Sequence, residues 1–300
     1  MIIELNHTTS RAISAALVNV RRGSGSATGQ VLTLIIVTDD DHATRALEAA
    51  KASATAHPSR VIVVNYVDGD DPHLDATLQV GEDLPGELLQ LTVHGSLRDH
   101  ADAILLPLLL PDSPVVAWWP NTSPHHLATD PVGRLADRRI TDSSGAKDPQ
   151  VALLIRARHH SPGDTDLTWT RLTRWRALLA AALDQTQATV TAAHVTAAQD
   201  NAPATLLAAW LSESLKLPVT VTSGEYVGVH EVCLTTPEGD IVLHRPADST
   251  AQYRVPGQPV RTVALKRRPL TDLLTEELGR MGPDLVFEAA CRRLARGMEQ

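Results

Sequence analysis

Two runs, Val31-Leu-Thr-Leu-Ile-Ile-Val37 and Arg60-Val-Ile-Val-Val-Asn-Tyr66, are almost unbroken in β-branched and aliphatic residues. A strand with one wet face alternates apolar and polar residues, whereas a strand covered on both faces does not. Both runs therefore read as strands buried on both faces. Between them, residues 41–56 are Ala-rich and helical in pattern. Strand, helix, strand with short connections makes a parallel, right-handed unit. Ile13, Leu17 and Val20 add a helix over residues 10–20.

The pattern continues. Glu87–Val93 reads as a strand, residues 98–109 as a helix, and Pro114-Val-Val-Ala-Trp-Trp119 as a strand stopped by Pro120, with a further strand over 137–141. The first half is thus expected to be a doubly wound α/β domain with a mostly parallel sheet. The polar, turn-rich stretch Thr141–Pro149 marks a boundary, giving domains 1–147 and 148–300. Beyond it, residues 150–160, 169–184 and 203–215 read as helices and 189–197 as a strand. From Val219 to Leu265 several strands follow one another, separated by Ser223-Gly224, Pro237-Glu-Gly239 and Pro256-Gly257. Two helices, near 270–280 and 284–297, close the chain. The second domain is expected to be α+β with a mainly antiparallel sheet.

Charge and cysteine content narrow the function classes. The 300 residues carry a net charge of −8, which argues against a sequence-independent nucleic-acid binder. Cys233 and Cys291 make neither a disulfide framework nor a Cys-x-x-Cys pair, and they read as small buried hydrophobes. The longest apolar run, Ala103–Leu110, contains Pro107 and is far too short to cross a membrane. The first residues show no secretory pattern. A cytoplasmic protein is the expectation, with no membrane partner.

Several constellations imitate chemistry. Gly23, Gly25 and Gly29 have the wrong spacing for a dinucleotide fingerprint and precede a strand, so they read as a flexible connection. Asp39-Asp40-Asp41 and Asp68-Gly-Asp-Asp71 follow the two buried strands, at the carboxyl edge where ligands bind in parallel sheets. Their spacing matches no ligand set, and no metal or cofactor is expected. Of thirteen histidines, none stands in a His-Glu-x-x-His motif, and no Gly-x-Ser-x-Gly elbow occurs.

The aromatics differ in kind. There are five Trp against three Tyr and one Phe, and four of the Trp form two clusters. Trp118 and Trp119 end a strand and point to opposite faces, one toward the core and the other near the carboxyl edge. Trp169 and Trp175 lie in Thr-Trp-Thr-Arg-Leu-Thr-Arg-Trp-Arg176, where Leu172, Trp175, Leu179 and Leu183 form an apolar helix face. Two readings stay open: Trp175 anchors the helix, or an Arg/Trp patch binds a partner or an anion.

These strings carry a family resemblance. Val31-Leu-Thr-Leu-Ile-Ile-Val-Thr38, His57-Pro-Ser-Arg-Val-Ile62, Leu110-Pro-Asp-Ser-Pro-Val-Val-Ala-Trp-Trp-Pro120, Asp164-Thr-Asp-Leu-Thr-Trp-Thr-Arg-Leu-Thr-Arg-Trp-Arg176 and Leu273-Leu-Thr-Glu-Glu-Leu278 span nearly the whole chain. The chain resembles the glucose-6-phosphate dehydrogenase assembly proteins, called OpcA. The resemblance implies a non-enzymatic partner of that dehydrogenase, favouring its active oligomer in the oxidative pentose phosphate pathway. Trp118, Trp119, Trp169, Arg171, Trp175 and Arg176, with His57 and Arg60, are the expected partner-binding residues. The alternative is an enzyme or a phosphate or nucleotide sensor at the carboxyl edge of the first sheet, using Arg60 and Asp39.

Overall fold

The computed structural model describes residues 2–24, 29–38, 40–80, 86–186, 188–246 and 249–297. In chain order the elements are β1 (Ile2–Leu5), α1 (Ser10–Ser24), β2 (Leu32–Thr38), α2 (Asp40–Ser53), β3 (Ser59–Val67), β4 (Leu74–Val80), β5 (Gly86–His94), α3 (Ala101–Leu105), β6 (Val115–Trp119), β7 (Arg138–Thr141), α4 (Pro149–Arg158) and β8 (Asp164–Asp166). There follow α5 (Leu167–Arg171), α6 (Thr173–Leu183), β9 (Ala192–Ala198), α7 (Ala202–Leu215), β10 (Val219–Gly224), β11 (Val229–Thr236), β12 (Gly239–His244), β13 (Thr250–Arg254), β14 (Arg261–Ala264), α8 (Leu270–Leu278) and α9 (Leu285–Gly297). The chain divides into two compact units. One comprises Met1–Asp142, Ser161–Thr165 and Leu270–Pro283. The other comprises Ser143–His160, Asp166–Pro269 and Asp284–Gln300.

The first unit is built on a sheet of order β1-β4-β5-β3-β2-β6-β7-β8, mostly parallel as expected. β2 and β3 occupy its middle and are buried along most of their length, which is why their sequences do not alternate. Ile13 and Leu17 of α1, with Ile104, Leu105 and Leu108, cover the face carrying Ile35, Ile62, Leu89 and Trp119. On β6, Trp118 sits in register with Ile36 and Ile140 on the opposite face. α2 packs on β2 and β3 and against α8.

The edge of this sheet departs from the expected alternation. β4 pairs antiparallel with β5, and β1 pairs antiparallel with β4. The sequence Leu74-Asp-Ala-Thr-Leu-Gln-Val80 alternates apolar and polar residues, the signature of a half-covered antiparallel strand. The helix expected over 98–109 is a single α-turn, α3, between 3-10 turns at Gly95–His100 and Leu106–Leu108. Pro107 lacks the N–H that a continuing helix needs.

The sequence suggested one cut near residue 147, yet two later segments return to the first unit. Adjacent residues of β7 hold them. Arg138 is paired with Glu277 of α8, both side chains about 98% buried, and donates to the Gly282 carbonyl at 2.9 Å. Arg139 donates to Asp164 Oδ1 at 2.5 Å, to the Ala136 carbonyl at 2.9 Å and to the Pro162 carbonyl. His57 Nε2 donates to the Thr275 carbonyl at 3.0 Å, a further tie on α8.

The second unit packs α4, α5, α6, α7 and α9 with a sheet of order β10-β9-β11-β12-β13-β14. All its pairings are antiparallel except β9–β10. α7 is apolar on most sides because it lies in the core, with Leu206, Leu207 and Leu211 buried. Asn201 caps its start by accepting from the Ala204 N–H at 2.9 Å, and Lys216 ends it in the left-handed conformation. The helix expected over 169–184 is broken at Leu172 into α5 and α6.

Replacing Glu277 by Ala leaves a buried Arg138 without its carboxylate. We expect a loss of about 3–5 kcal/mol of stability in denaturant unfolding. Removing Glu288, whose pair with Arg292 is exposed on the arginine side, should change stability by less than about 1 kcal/mol.

Candidate functional site

The structure separates the expected site residues into scaffold and surface. Trp118 and Trp119 are 0% and 2% exposed. They do face opposite sides of the sheet, as the pleat requires, but neither lies open at an edge. β6 is an interior strand with both faces covered, so alternation carries each indole into packed side chains. The Trp118 indole N–H is buried without a hydrogen-bond partner.

Arg60 is also buried. Its Nε and Nη2 each contact Glu87 Oε2 at 2.8 Å, and Nη1 donates to the Leu108 carbonyl. Arg60 pairs in register with Thr33, whereas Thr38 pairs with Asn65. Arg60 therefore stands at the amino end of β3, five residues or about 16 Å along the strand from the carboxyl edge. It cannot complete an anion site there. Asp39, its supposed companion, and the glycine loop at 25–28 lie outside the described residues, as do the side chains of Asp40 and Asp41.

Trp169 and Trp175 belong to the core of the second unit. Asp166 caps α5 by accepting from the Thr168 N–H at 2.8 Å and is itself held by the Ser143 N–H and hydroxyl. This fixes Trp169 in the first turn, where its Nε1–H donates to Asp284 Oδ2 at 2.7 Å. Asp284 in turn caps α9 by accepting from the Val286 and Phe287 N–H groups. The Trp169 ring also packs against Phe287, centroids 5.6 Å apart. The Arg176 guanidinium lies 3.5 Å over the indole, so this arginine serves as a lid on Trp169. The tryptophans anchor the helices, and Arg171 and Arg174 face a cavity.

That cavity, about 210 Å³, opens in the second unit. Arg171, Arg174, Arg245, Lys266, Arg267 and Arg268 line it, above a floor that includes Trp175, Val229 and Leu265. Among the described residues, no carboxylate lines it. Arg245 lies 5.2 Å from the Trp175 ring centroid and donates to the Val229 carbonyl at 2.5 Å. Arg267 donates to the Val227 carbonyl, and Arg268 to the Thr170 carbonyl at 3.3 Å. Gly228 has φ +67°, and a Cβ there would meet Arg267 Nη1 at 2.7 Å. The glycine therefore lets Arg245 and Arg267 converge on one spot. Six cationic groups thus surround a partly apolar cleft and make its local charge strongly positive. The run Lys266-Arg267-Arg268, which sequence reasoning passed over, is the local signal that could have pointed here. Arg245, isolated on the chain, gave no signal.

The thiols are placed against easy redox chemistry. Cys291 is fully buried. Burial pushes the Cys233 thiol up, and Asp240 and Glu231 add to the shift, so its thiolate is disfavoured. Neither cysteine is in a disulfide.

Truncating Trp169 to Ala removes a bond to Asp284, the contact with Phe287 and the platform under Arg176. The expected loss is about 3–5 kcal/mol in denaturant unfolding, with Trp169→Phe losing less. A change below about 1 kcal/mol would contradict its anchoring role.

No curated protein matches the chain. Among solved structures, the chain is similar to an oxidoreductase from Sinorhizobium meliloti, at 10% identity, covering 90% of this chain and 89% of that one with a TM-score of 0.41. It is also similar to an E. coli structure described as trehalose-6-phosphate bound with UDP-2-fluoro glucose, at 10% identity, covering 64% and 65% with a TM-score of 0.26. Two family models match in succession: the glucose-6-phosphate dehydrogenase subunit N-terminal domain over residues 50–158, and the C-terminal domain of the same subunit over residues 162–291. Together they account for most of the chain, which therefore belongs to the OpcA family of glucose-6-phosphate dehydrogenase assembly proteins.

Proposed function

We propose that this protein binds glucose-6-phosphate dehydrogenase in the cytoplasm and favours its active oligomer, at the entry to the oxidative pentose phosphate pathway. The observation that carries the reading is the matching of both family domains in their expected order. On this reading the chain acts on the dehydrogenase as an allosteric activator and has no catalytic residues of its own. Binding shifts an oligomer equilibrium only through different affinities for the two states. A tenfold shift takes about 1.4 kcal/mol of differential affinity, which one well-placed arginine contact can supply.

The contact surface we favour is the basic cavity of the second unit and its rim. Tyr226 and Val227, 40% and 71% exposed, immediately precede Gly228, which lines the cavity. Exposed apolar groups beside clustered arginines resemble the composition of protein–protein hot spots. The complementary element on the dehydrogenase is an acidic segment. Among the residues expected from sequence, Arg171 is the one this surface keeps as a direct contact. Trp169, Trp175 and Arg176 support it from beneath, and Trp118, Trp119, His57 and Arg60 maintain the first unit.

The test is a dehydrogenase assay with and without this protein, together with size-exclusion co-elution. Co-elution and a higher specific activity are expected, and unchanged activity with no co-elution would sink the proposal. Arg174→Glu combined with Lys266→Glu changes two exposed side chains. It should weaken binding at least tenfold, leave the thermal midpoint within about 2 °C and abolish most of the salt dependence of association.

A further inference from the structure

Three neighbouring strands at the edge of the first sheet bring histidines to one end. His7 follows β1, His73 precedes β4, and His94 ends β5. The rings form a continuous stack: His7 and His73 centroids are 4.3 Å apart, and those of His73 and His94 are 3.8 Å apart. Asp75, the second residue of β4, lies beside the stack. Its Oδ2 is 3.5 Å from His73 Nε2 and 3.3 Å from His94 Nε2. The backbone fixes this gathering, since the His94 N–H donates to the His73 carbonyl at 3.0 Å and the Thr8 N–H to the Leu74 carbonyl at 2.7 Å.

We propose that His73 Nε2, His94 Nε2 and Asp75 Oδ2 form a binding site for a divalent transition-metal ion of the Zn²⁺ class. The separations fit. Tetrahedral bonds of about 2.0–2.1 Å place ligand atoms roughly 3.3–3.4 Å apart. The two carboxylate–imidazole edges, 3.5 and 3.3 Å, lie close to that length, and the three ligand atoms all lie within 4.8 Å of one another. Two imidazoles and one carboxylate suit a borderline cation, with solvent completing the coordination of this half-exposed site.

The surrounding hydrogen bonds leave these three atoms as the available ones. His73 Nδ1–H donates to the Asp71 carbonyl at 2.9 Å, with the Asp71 carboxylate 3.4 Å away. That selects the tautomer whose Nε2 lone pair points to the site, as second-sphere partners of metal-bound histidines do. Asp75 Oδ1 accepts the His7 N–H at 2.8 Å, which leaves Oδ2 for the ion. His94 Nε2 is buried without a hydrogen-bond partner. His7 holds a left-handed backbone, φ 46°, an uncommon conformation for a residue with a Cβ, and its N–H is what orients Asp75. The planes of His73 and His94 are only 12° apart in a stack, so their Nε2 lone pairs run nearly parallel, and closing on one ion requires each ring to turn by tens of degrees about its own side-chain bonds.

Sequence spacing conceals this site. His73 and Asp75 are close neighbours, but His94 arrives from another strand, so no ligand motif exists along the chain. The expectation of no metal rested on spacing alone, and strand pairing supplies what spacing could not.

The test uses the full chain, stripped with a chelator, in equilibrium dialysis against Zn²⁺ and in absorption titration with Co²⁺. We expect one Zn²⁺ per chain, visible-region Co²⁺ bands, and occupancy that falls on acidification because protons compete for imidazole. His94→Gln and Asp75→Asn should each lower affinity at least tenfold. A His125→Gln, His126→Gln double variant should bind as the parent does. Substoichiometric Zn²⁺ in the parent, or an unchanged affinity in both His94→Gln and Asp75→Asn, would overturn the proposal. Should either variant fold poorly, imidazole nitrogen NMR of the parent chain decides instead. Zn²⁺ must move the resonances of His73 and His94, and shifts confined to other histidines refute the site.

Discussion

The first unit depends on two consecutive arginines. β7 is a strand, so Arg138 and Arg139 project to opposite faces of the sheet. One receives Glu277 and the Gly282 carbonyl, and the other receives Asp164 and the Pro162 carbonyl. A guanidinium buried without a partner is too unfavourable to tolerate, so each one demands a returning segment of chain. Each guanidinium also offers several donors in a fixed plane and can bind a carboxylate and carbonyls together. The sequence-remote segments 161–165 and 270–283 belong to the first unit through these bonds.

A similar economy governs the second unit. Aromatic residues are scarce, and the chain places its large rings where they close a core. Trp169 joins two helix starts through the single carboxylate of Asp284, which caps α9 with one oxygen and accepts the indole N–H with the other. Arg176 covers the exposed side of that ring. With the rings committed to packing, the exposed charge of this region comes from the guanidinium and ammonium groups around them. Arg171 and Arg174 on one side and Lys266, Arg267 and Arg268 on the other converge on a cleft floored by Trp175. Arg/Trp strings along the sequence thus mark a rigid support and a charged surface together.

Much of this was legible from local pattern. The unbroken apolar runs at Leu32–Thr38 and Ser59–Val67 gave parallel central strands because such runs are stable only when both faces are covered. Turn chemistry after Val219 gave a mainly antiparallel second sheet. The strings at 110–120 and 164–176 pointed to the family whose two domains match the chain. What misled was exposure. Trp118 and Trp119 alternate whichever way a sheet is covered, and nothing in their order along the chain says that β6 is an interior strand. Arg60 reads as a surface cation, but Glu87, on the strand paired beside it, draws it inside.

The amino-acid sequence by itself determined most of the elements, the two kinds of sheet and, through its motif strings, the family. The elements and sheets follow from interactions over a few residues: side-chain periodicity, caps and turns. Only the tertiary structure decided which charges are buried and which converge. Arg138 meets Glu277 across 139 residues, Arg171 meets Arg245 at one cleft, and His94 meets Asp75 through strand pairing. Electrostatic and ligand-binding geometry depends on distance in space, and that distance is set by how strands pair and helices pack, not by separation along the chain.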